Sequence, residues 1–119
     1  MEISDFLNKK PPAGKVVELS GIAKGVQEVF LDKSSGKGEG VIHYTGFLTD
    51  SDRENEGQVF IHGSIDGYLG EHKHLMVLSM LKASSETNEP VTINGDIIET
   101  NPYEIFVHHI RFGKYESKA

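Results

Sequence analysis

The side chains of this chain that could perform chemistry are its six histidines, its four tyrosines and its carboxylates. His72 and His74 would project from one face of a β-strand, which is a usual arrangement for two metal ligands. A metal site needs three or four converging ligands, and nothing in the sequence brings His43 or His62 to this pair. We therefore predict that the protein holds no metal and no cofactor.

Other known catalytic and ligand-binding motifs do not match the residue spacing of this chain. Residues 50–54 alternate like a calcium loop, but Asn55 and Ile61 stand where an EF-hand loop needs glycine and glutamate. No serine lies in a nucleophile-elbow sequence, and the absence of cysteine excludes disulfides and thiolate chemistry. The catalytic alternative that the sequence allows is a small enzyme in which a pocket histidine acts with Tyr44 or Asp96.

Ring-bearing side chains alternate with apolar ones in residues 41–48 and again in residues 59–62. On the first stretch Tyr44 would face the core, while the histidine and phenylalanine on the opposite face would join those of the second stretch. Two adjacent strands would then present an aromatic and imidazole surface, unless a second sheet, a dimer or the amino-terminal helix covers it. The residues predicted to bind a ligand are Tyr44, Phe47, Phe60, His62 and His43.

The elements that must position these residues are predicted to be β-strands. Alternation is cleanest in residues 91–97, where one set of side chains should face the core and the other should face water. The first set is Val91, Ile93 and Ile97, and the second is Thr92, Asn94 and Asp96. At Gly25 the chain can bend, and it then continues as a second strand or as the far half of one long strand.

Asp66-Gly67 is a tight-turn dipeptide between two apolar stretches. It predicts a hairpin in which residues 58–65 pair with residues 68–81, with residues 74–81 as a strand buried on both faces. The predicted fold is a single all-β domain over residues 1–119, with a short helical or irregular segment at residues 1–14. Its architecture would be a small antiparallel β-barrel or sandwich, a meander of six or seven strands.

Most of the chain also resembles an OB-fold, a five-stranded barrel with a helix before its fourth strand. The segments that carry the resemblance are GKVVELSGIAKGV, a possible helix near residues 72–83, and VTINGDII followed by EIFVHHIRF. The resemblance implies an OB-like five-stranded barrel as the alternative fold. It implies a module that binds single-stranded nucleic acid, with Phe47, Phe60 or Tyr44 stacking on bases. The lysines that would contact phosphates are Lys33, Lys37 and Lys73.

Residues 41–50, VIHYTGFLTD, resemble the HYTG strand of FKBP-type prolyl isomerases. In that family a tyrosine at the place of Tyr44 lines the ligand pocket. The resemblance covers about ten residues, and the tryptophan at the floor of the family's pocket has no counterpart because this chain contains no tryptophan.

The chain is acidic, with a net charge of −6 from 18 acidic and 12 basic residues. This balance argues against nucleic acid as a partner, because nucleic-acid binding depends on a basic surface. No apolar run approaches the roughly 20 residues of a membrane span, and residues 1–14 lack the apolar core of a secretory signal, so a cytoplasmic protein that does not contact membranes is expected.

The predicted function is that of a non-enzymatic binding module. Its ligand would be a small apolar molecule or a protein partner, held on the aromatic and histidine-bearing β surface or inside the barrel. A homo-oligomer that buries the same surface is also possible. The alternatives are an OB-like module for single-stranded nucleic acid and a small histidine-dependent enzyme.

Overall fold

The computed structural model describes residues 1–30, 41–50, 57–66 and 71–118. Over these ranges the chain forms two helices and six strands. In chain order they are α1 (Ile3–Lys9), β1 (Val16–Phe30), β2 (Val41–Thr49), β3 (Val59–Asp66), α2 (Glu71–Thr87), β4 (Val91–Thr100), β5 (Tyr103–Phe112) and β6 (Tyr115–Lys118).

Five of the strands close into a barrel. Strand β1 pairs with β2 and β4, β2 pairs with β3, and β4 pairs with β5, all antiparallel. A parallel contact between β3 and β5 completes the ring, and β6 is added to β5 outside it. The all-β class is confirmed, and the barrel is the predicted OB-like alternative. Its parallel closure departs from a simple antiparallel meander.

Strand β4 shows how the sequence pattern builds the barrel interior. Val91, Ile93 and Ile97 are buried, whereas Thr92, Asn94 and Asp96 are only partly covered, so the predicted alternation is confirmed. Ile93 lies in register between two neighbours that are also fully buried, Leu19 on β1 and Ile110 on β5. The centre of the sheet is thus packed with branched aliphatic side chains.

Strand β1 is one long strand, which decides between the two possibilities at Gly25. Its pairing with β2 shifts between Lys24 and Gln27, and Gly25 has a φ of +60° within this irregularity. Glycine suits this bulge because side-chain-bearing residues rarely adopt a positive φ.

The predicted hairpin at Asp66-Gly67 is wrong. Strand β3 ends at Asp66 and pairs with β2 and β5, and residues 71–87 form α2 instead of the predicted strand. Gly67 lies outside the described residues. Leucine, methionine, lysine and alanine dominate residues 75–83, and these residues favour helix, whereas Val77 is the one β-branched side chain there.

Helix α2 packs beneath the end of the barrel where β4 begins. Its buried side chains include Val77, Met80 and Leu81, which join the barrel core. Ser84 is also fully buried: its Oγ accepts a hydrogen bond from the Ala23 N–H (3.0 Å) and donates one to the Glu89 carbonyl (2.7 Å). The helix is thereby fixed to β1 and to the chain leading into β4.

Helix α1 covers the opposite end, where β2 finishes and β5 begins. Ile3 and Phe6 are buried in the core, and the Phe6 ring lies 4.7 Å from that of Tyr103. The backbone N–H groups of Ile3 and Ser4 donate to the two carboxylate oxygens of Asp50, at 2.8 and 2.7 Å. Because Glu2 at the helix start supplies no side-chain cap, Asp50 caps α1 from the end of β2.

We expect Asp50→Asn to destabilise the fold by about 1 kcal/mol at neutral pH, as for the loss of a helix cap. Burial alone would raise the pKa of Asp50, but hydrogen bonds from the Ser4 side chain and from the Ser4 and Ile3 N–H groups hold it below its ordinary value. A carboxylate with a lowered pKa stabilises the folded state at pH values above its ordinary pKa. This contribution is lost as the pH falls through the folded-state pKa. Urea unfolding at pH 7 and at pH 3 measures both effects.

The difference in free energy of unfolding between the wild type and Asp50→Asn should therefore be largest at pH 7 and smaller at pH 3. Glu2→Gln, at an exposed carboxylate that makes no side-chain cap bond, is the matched control and should change little at either pH. A difference that persists unchanged at pH 3 would show that the carboxylate charge is not what caps α1.

In the described part of the chain, neither helix has the length and the apolar character needed to cross a lipid bilayer.

Candidate functional site

The outer wall of the barrel carries four of the five residues that were predicted to bind a ligand. His43 and Phe47 on β2 and Phe60 and His62 on β3 are partly exposed, and Phe60 is 37% exposed. Tyr44 faces the interior and is fully buried. The structure therefore brings the first four together on one surface and places Tyr44 in the core.

Tyr44 packs against the backbone of Gly63, its register partner on β3. Its ring fills the space that a side chain at position 63 would need. The hydroxyl is buried and has no hydrogen-bond partner within the described residues. Burial raises the pKa of the Tyr44 hydroxyl far above its ordinary value, so the group stays neutral at physiological pH. Tyr44 is therefore a core residue that a ligand outside the barrel does not reach.

Phe47 and Phe60 form an aromatic pair across β2 and β3. They are register partners, with ring centroids 6.4 Å apart and ring planes at 72°. This edge-to-face arrangement is a favourable one for two phenyl rings. Gly25 in the β1 bulge lies beside the Phe47 ring, and a Cβ atom there would come within 2.7 Å of Phe47 Cε1. The bulge thus leaves room for the ring.

Strand β5 adds Phe106 and His108, two residues that the sequence prediction misses. Phe106 is the register partner of His62, and their ring centroids lie 5.6 Å apart. The His108 ring is 5.5 Å from the same phenyl ring, and its Nε2 lies 2.6 Å from Asp96 Oδ2. Alternation in residues 104–108 could have indicated two outward-facing rings, but only the parallel β3–β5 pairing places them beside His62.

Phe47, Phe60, His62 and Phe106 together are termed the aromatic face. They lie on three adjacent strands, and Phe60 and His62 point to the same side of β3, which connects the two ring pairs. His43 lies on the same side of β2, opposite Ser64, and borders the face. Rings held on paired strands are positioned more rigidly than rings on loops.

Two carboxylates border the aromatic face. Glu104 is the register partner of Phe60, and Asp96 is the register partner of Phe106. On the β1 side the register partner of Phe47 is Lys24, whose Nζ donates to Asn88 Oδ1 at 2.8 Å. The centre of the face is thus aromatic, and the border along β4 and β5 is acidic.

The described residues contain no group of three or more histidine, aspartate or glutamate side chains that could hold a metal ion. The histidine pair predicted to share one strand face, His72 and His74, lies in α2, and these side chains are outside the described part of the chain. The side chain of Lys73 is outside it as well. So are residues 31–40 and 51–56, which include Lys33, Lys37 and all but the first of the calcium-loop-like residues 50–54.

An open groove of about 460 Å³ lies between the end of α1 and the turn from β4 to β5. Lys10, Pro12 and Asn101 are among its lining residues, and the Tyr103 hydroxyl at its wall donates to the Pro11 carbonyl at 2.7 Å. None of the lining residues belongs to the aromatic face, so the two features are separate.

No family model matches this chain, and no curated protein matches it in sequence. The local resemblance of residues 41–50 to FKBP-type isomerases therefore gains no support from a family match. The geometry gives it none either, because the Tyr44 ring that would line a pocket is enclosed in the barrel core.

Proposed function

We propose that this chain is a non-enzymatic binding module that holds a protein partner on the aromatic face. The observation that carries the proposal is the continuous set of partly exposed rings on β2, β3 and β5, with Phe60 37% exposed at its centre. Aromatic side chains supply much of the binding energy at protein interfaces, because they bury large areas at little cost in conformational entropy.

An outer surface is favoured over the barrel interior as the binding site. The interior is occupied by side chains from every strand of the ring, among them Tyr44, Ile61 and Ile105, and helices α1 and α2 cover its two ends. A small apolar ligand inside would have to displace these residues. A partner on the outer wall would displace only water from rings that are already accessible.

A catalytic role for the Asp96 and His108 pair is not part of the proposal. A carboxylate beside an imidazole can orient a general base. However, the two side chains are 41% and 49% exposed on the outer wall, so both are open to solvent there. This open position favours a contact role at the border of a binding surface.

Single-stranded nucleic acid is the second candidate, and the OB-like barrel with rings on β2 and β3 favours it. Stacking on these rings would give a few kcal/mol, but phosphates would approach the Glu104 and Asp96 carboxylates in a protein of net charge −6. We therefore expect labelled oligo-dT and oligo-U to bind with a Kd of about 10 μM or weaker at ~150 mM salt.

Fluorescence anisotropy measures this affinity. Submicromolar binding that is weakened by both Phe47→Ala and Phe60→Ala would move nucleic acid to first place. Tyr115→Ala removes a ring that is 56% exposed on β6, away from the aromatic face, and serves as the matched control.

Site-specific photocrosslinking in the native host tests the main proposal. A benzophenone amino acid replaces Phe60 in one variant and Tyr115 in the control variant. We expect a nuclease-resistant adduct from position 60 alone, with a mass other than twice that of the chain, and we expect its yield to fall when Phe47→Ala is added.

The other outcomes separate the remaining possibilities. A nuclease-sensitive adduct would support the nucleic-acid candidate, and an adduct of twice the chain mass would indicate a homo-oligomer. Equal adducts from positions 60 and 115, or none from position 60, would contradict the aromatic face as the binding surface.

A cytoplasmic location is also proposed. Cell fractionation with immunoblotting tests the location, and recovery outside the cytoplasmic fraction would contradict it.

A further inference from the structure

The acidic border of the aromatic face indicates the chemistry of its partner, an inference that rests on the proposed function. Glu104 stands one strand away from Phe60, as its register partner across the parallel β3–β5 contact. Adjacent strands are separated by roughly 4.8 Å, so a phenyl ring and a carboxylate are presented side by side. Asp96 and Phe106 repeat the arrangement on β4 and β5.

A guanidinium group fits such a ring and carboxylate together. Its planar face stacks on an aromatic ring within about 6 Å of the centroid, and its N–H groups donate in pairs to a carboxylate. An ammonium group makes both contacts as a point charge, without the matching planar shape. The geometry therefore favours arginine over lysine.

The two carboxylates differ in availability. Asp96 Oδ2 is already 2.6 Å from His108 Nε2. Glu104 lies beside the 37% exposed Phe60, and within the described residues no hydrogen bond or ion pair engages its side chain. The net charge of −6 would in addition steer a basic partner toward the protein.

We propose that the aromatic face binds an arginine-bearing segment of a protein partner, with a guanidinium group stacked on Phe60 and paired with Glu104. The apolar side chains of that segment cover Phe47 and Phe106. Asp96 and His108 form the border of the contact.

Two matched peptides test this inference. One is fluorescein-labelled GLGRGFGRGLG, and the other carries citrulline, the uncharged isostere of arginine, in place of both arginines. We expect the full-length protein to bind the arginine peptide at least about fivefold more tightly at ~100 mM salt. Glu104→Gln should reduce this ratio to about twofold or less, because it removes the charge and keeps the shape.

Three comparisons control the result. Glu86→Gln, at an exposed carboxylate on α2, should leave the ratio unchanged. Phe60→Ala should weaken both peptides, and circular dichroism establishes that each variant is folded. A lysine version of the peptide should bind more weakly than the arginine version.

The failure of this inference and that of the proposed function give different results. Equal binding of both peptides, with amide shifts at Phe47 and Phe60 in NMR spectra, overturns the arginine preference and leaves the aromatic face as a binding surface. A ratio that Glu104→Gln does not change overturns the role of Glu104. Absence of peptide binding overturns the inference, and absence of an adduct from position 60 then overturns the proposed function as well.

Discussion

Replacement of Ile93 by aspartate should lower the free energy of unfolding by about 4 kcal/mol or more. Ile93 is fully buried between Leu19 and Ile110, so the variant loses its apolar contacts and places a carboxylate where no partner is present among these aliphatic neighbours. Urea unfolding followed by circular dichroism measures the change. If the protein fails to fold, Ile93→Ala should still lower the free energy by about 2 to 4 kcal/mol.

Asn94→Asp is the matched control, because it places the same carboxylate at the next position of β4, on the partly exposed outer face. Its effect should stay within about 1 kcal/mol. Equal losses for the two aspartate variants would contradict the register of β4 that the barrel requires.

Gly63→Ala should destabilise the barrel by about 3 kcal/mol, since a small-to-large change in a packed core forces its neighbours apart. The new Cβ atom would lie 2.5 Å from Tyr44 Cζ and 2.8 Å from Cε1, and it would also meet the hydroxyl oxygen. Thermal unfolding in parallel with urea unfolding measures the loss. Gly46→Ala on β2 is the control: its nearest contact would be the Lys24 carbonyl at 3.2 Å, so a smaller loss is expected.

A double-mutant cycle identifies the cause of the loss. Tyr44→Leu removes the ring that occupies the space beside Gly63, so Gly63→Ala should cost less in the Tyr44→Leu background than in the wild type. Additive effects of the two substitutions would show that Tyr44 does not exclude a side chain at position 63.

The local part of the fold was predictable because alternation depends only on neighbouring residues. In β4 polar residues alternate with buried apolar residues. The same alternation in β2 and β3 correctly predicted that Phe47, Phe60 and His62 face outward. The alternation also placed Tyr44 inward, but its value as a ligand-binding residue depended on an accessible interior, and the packed core does not provide one.

The hairpin prediction placed a strand at residues 74–81, and only the OB-like alternative placed a helix there, near residues 72–83, although the sequence contained a helical signal. Val77, Met80, Leu81 and Ser84 follow the spacing of one helix face, and all four are buried. A serine at the last of these positions interrupts the apolar stripe in the sequence. Only the structure shows why it is tolerated there, since its Oγ bonds to the backbone of Ala23 and Glu89.

Two of the contacts on this wall, Phe60 with Glu104 and His62 with Phe106, join residues that are far apart in the chain. Glu104 lies beside Phe60, and Phe106 beside His62, only because β3 and β5 pair in parallel. No turn dipeptide or residue spacing predicts such a pairing, because α2 and β4 lie between β3 and β5 in the chain. The alternation therefore predicted which face of each strand is buried, but it did not predict the pairing of β3 with β5.

The pairing between β3 and β5 is short, so binding across it should affect the stability of the closed barrel. Its register covers only three pairs, from Phe60 with Glu104 to His62 with Phe106, whereas β2 and β3 are paired over eight. A ligand that spans Phe60 and Phe106 contacts both β3 and β5 and holds the two strands together. Free energy gained on the outer wall would then be added to the free energy of barrel closure, so an occupied protein would resist opening more than an empty one.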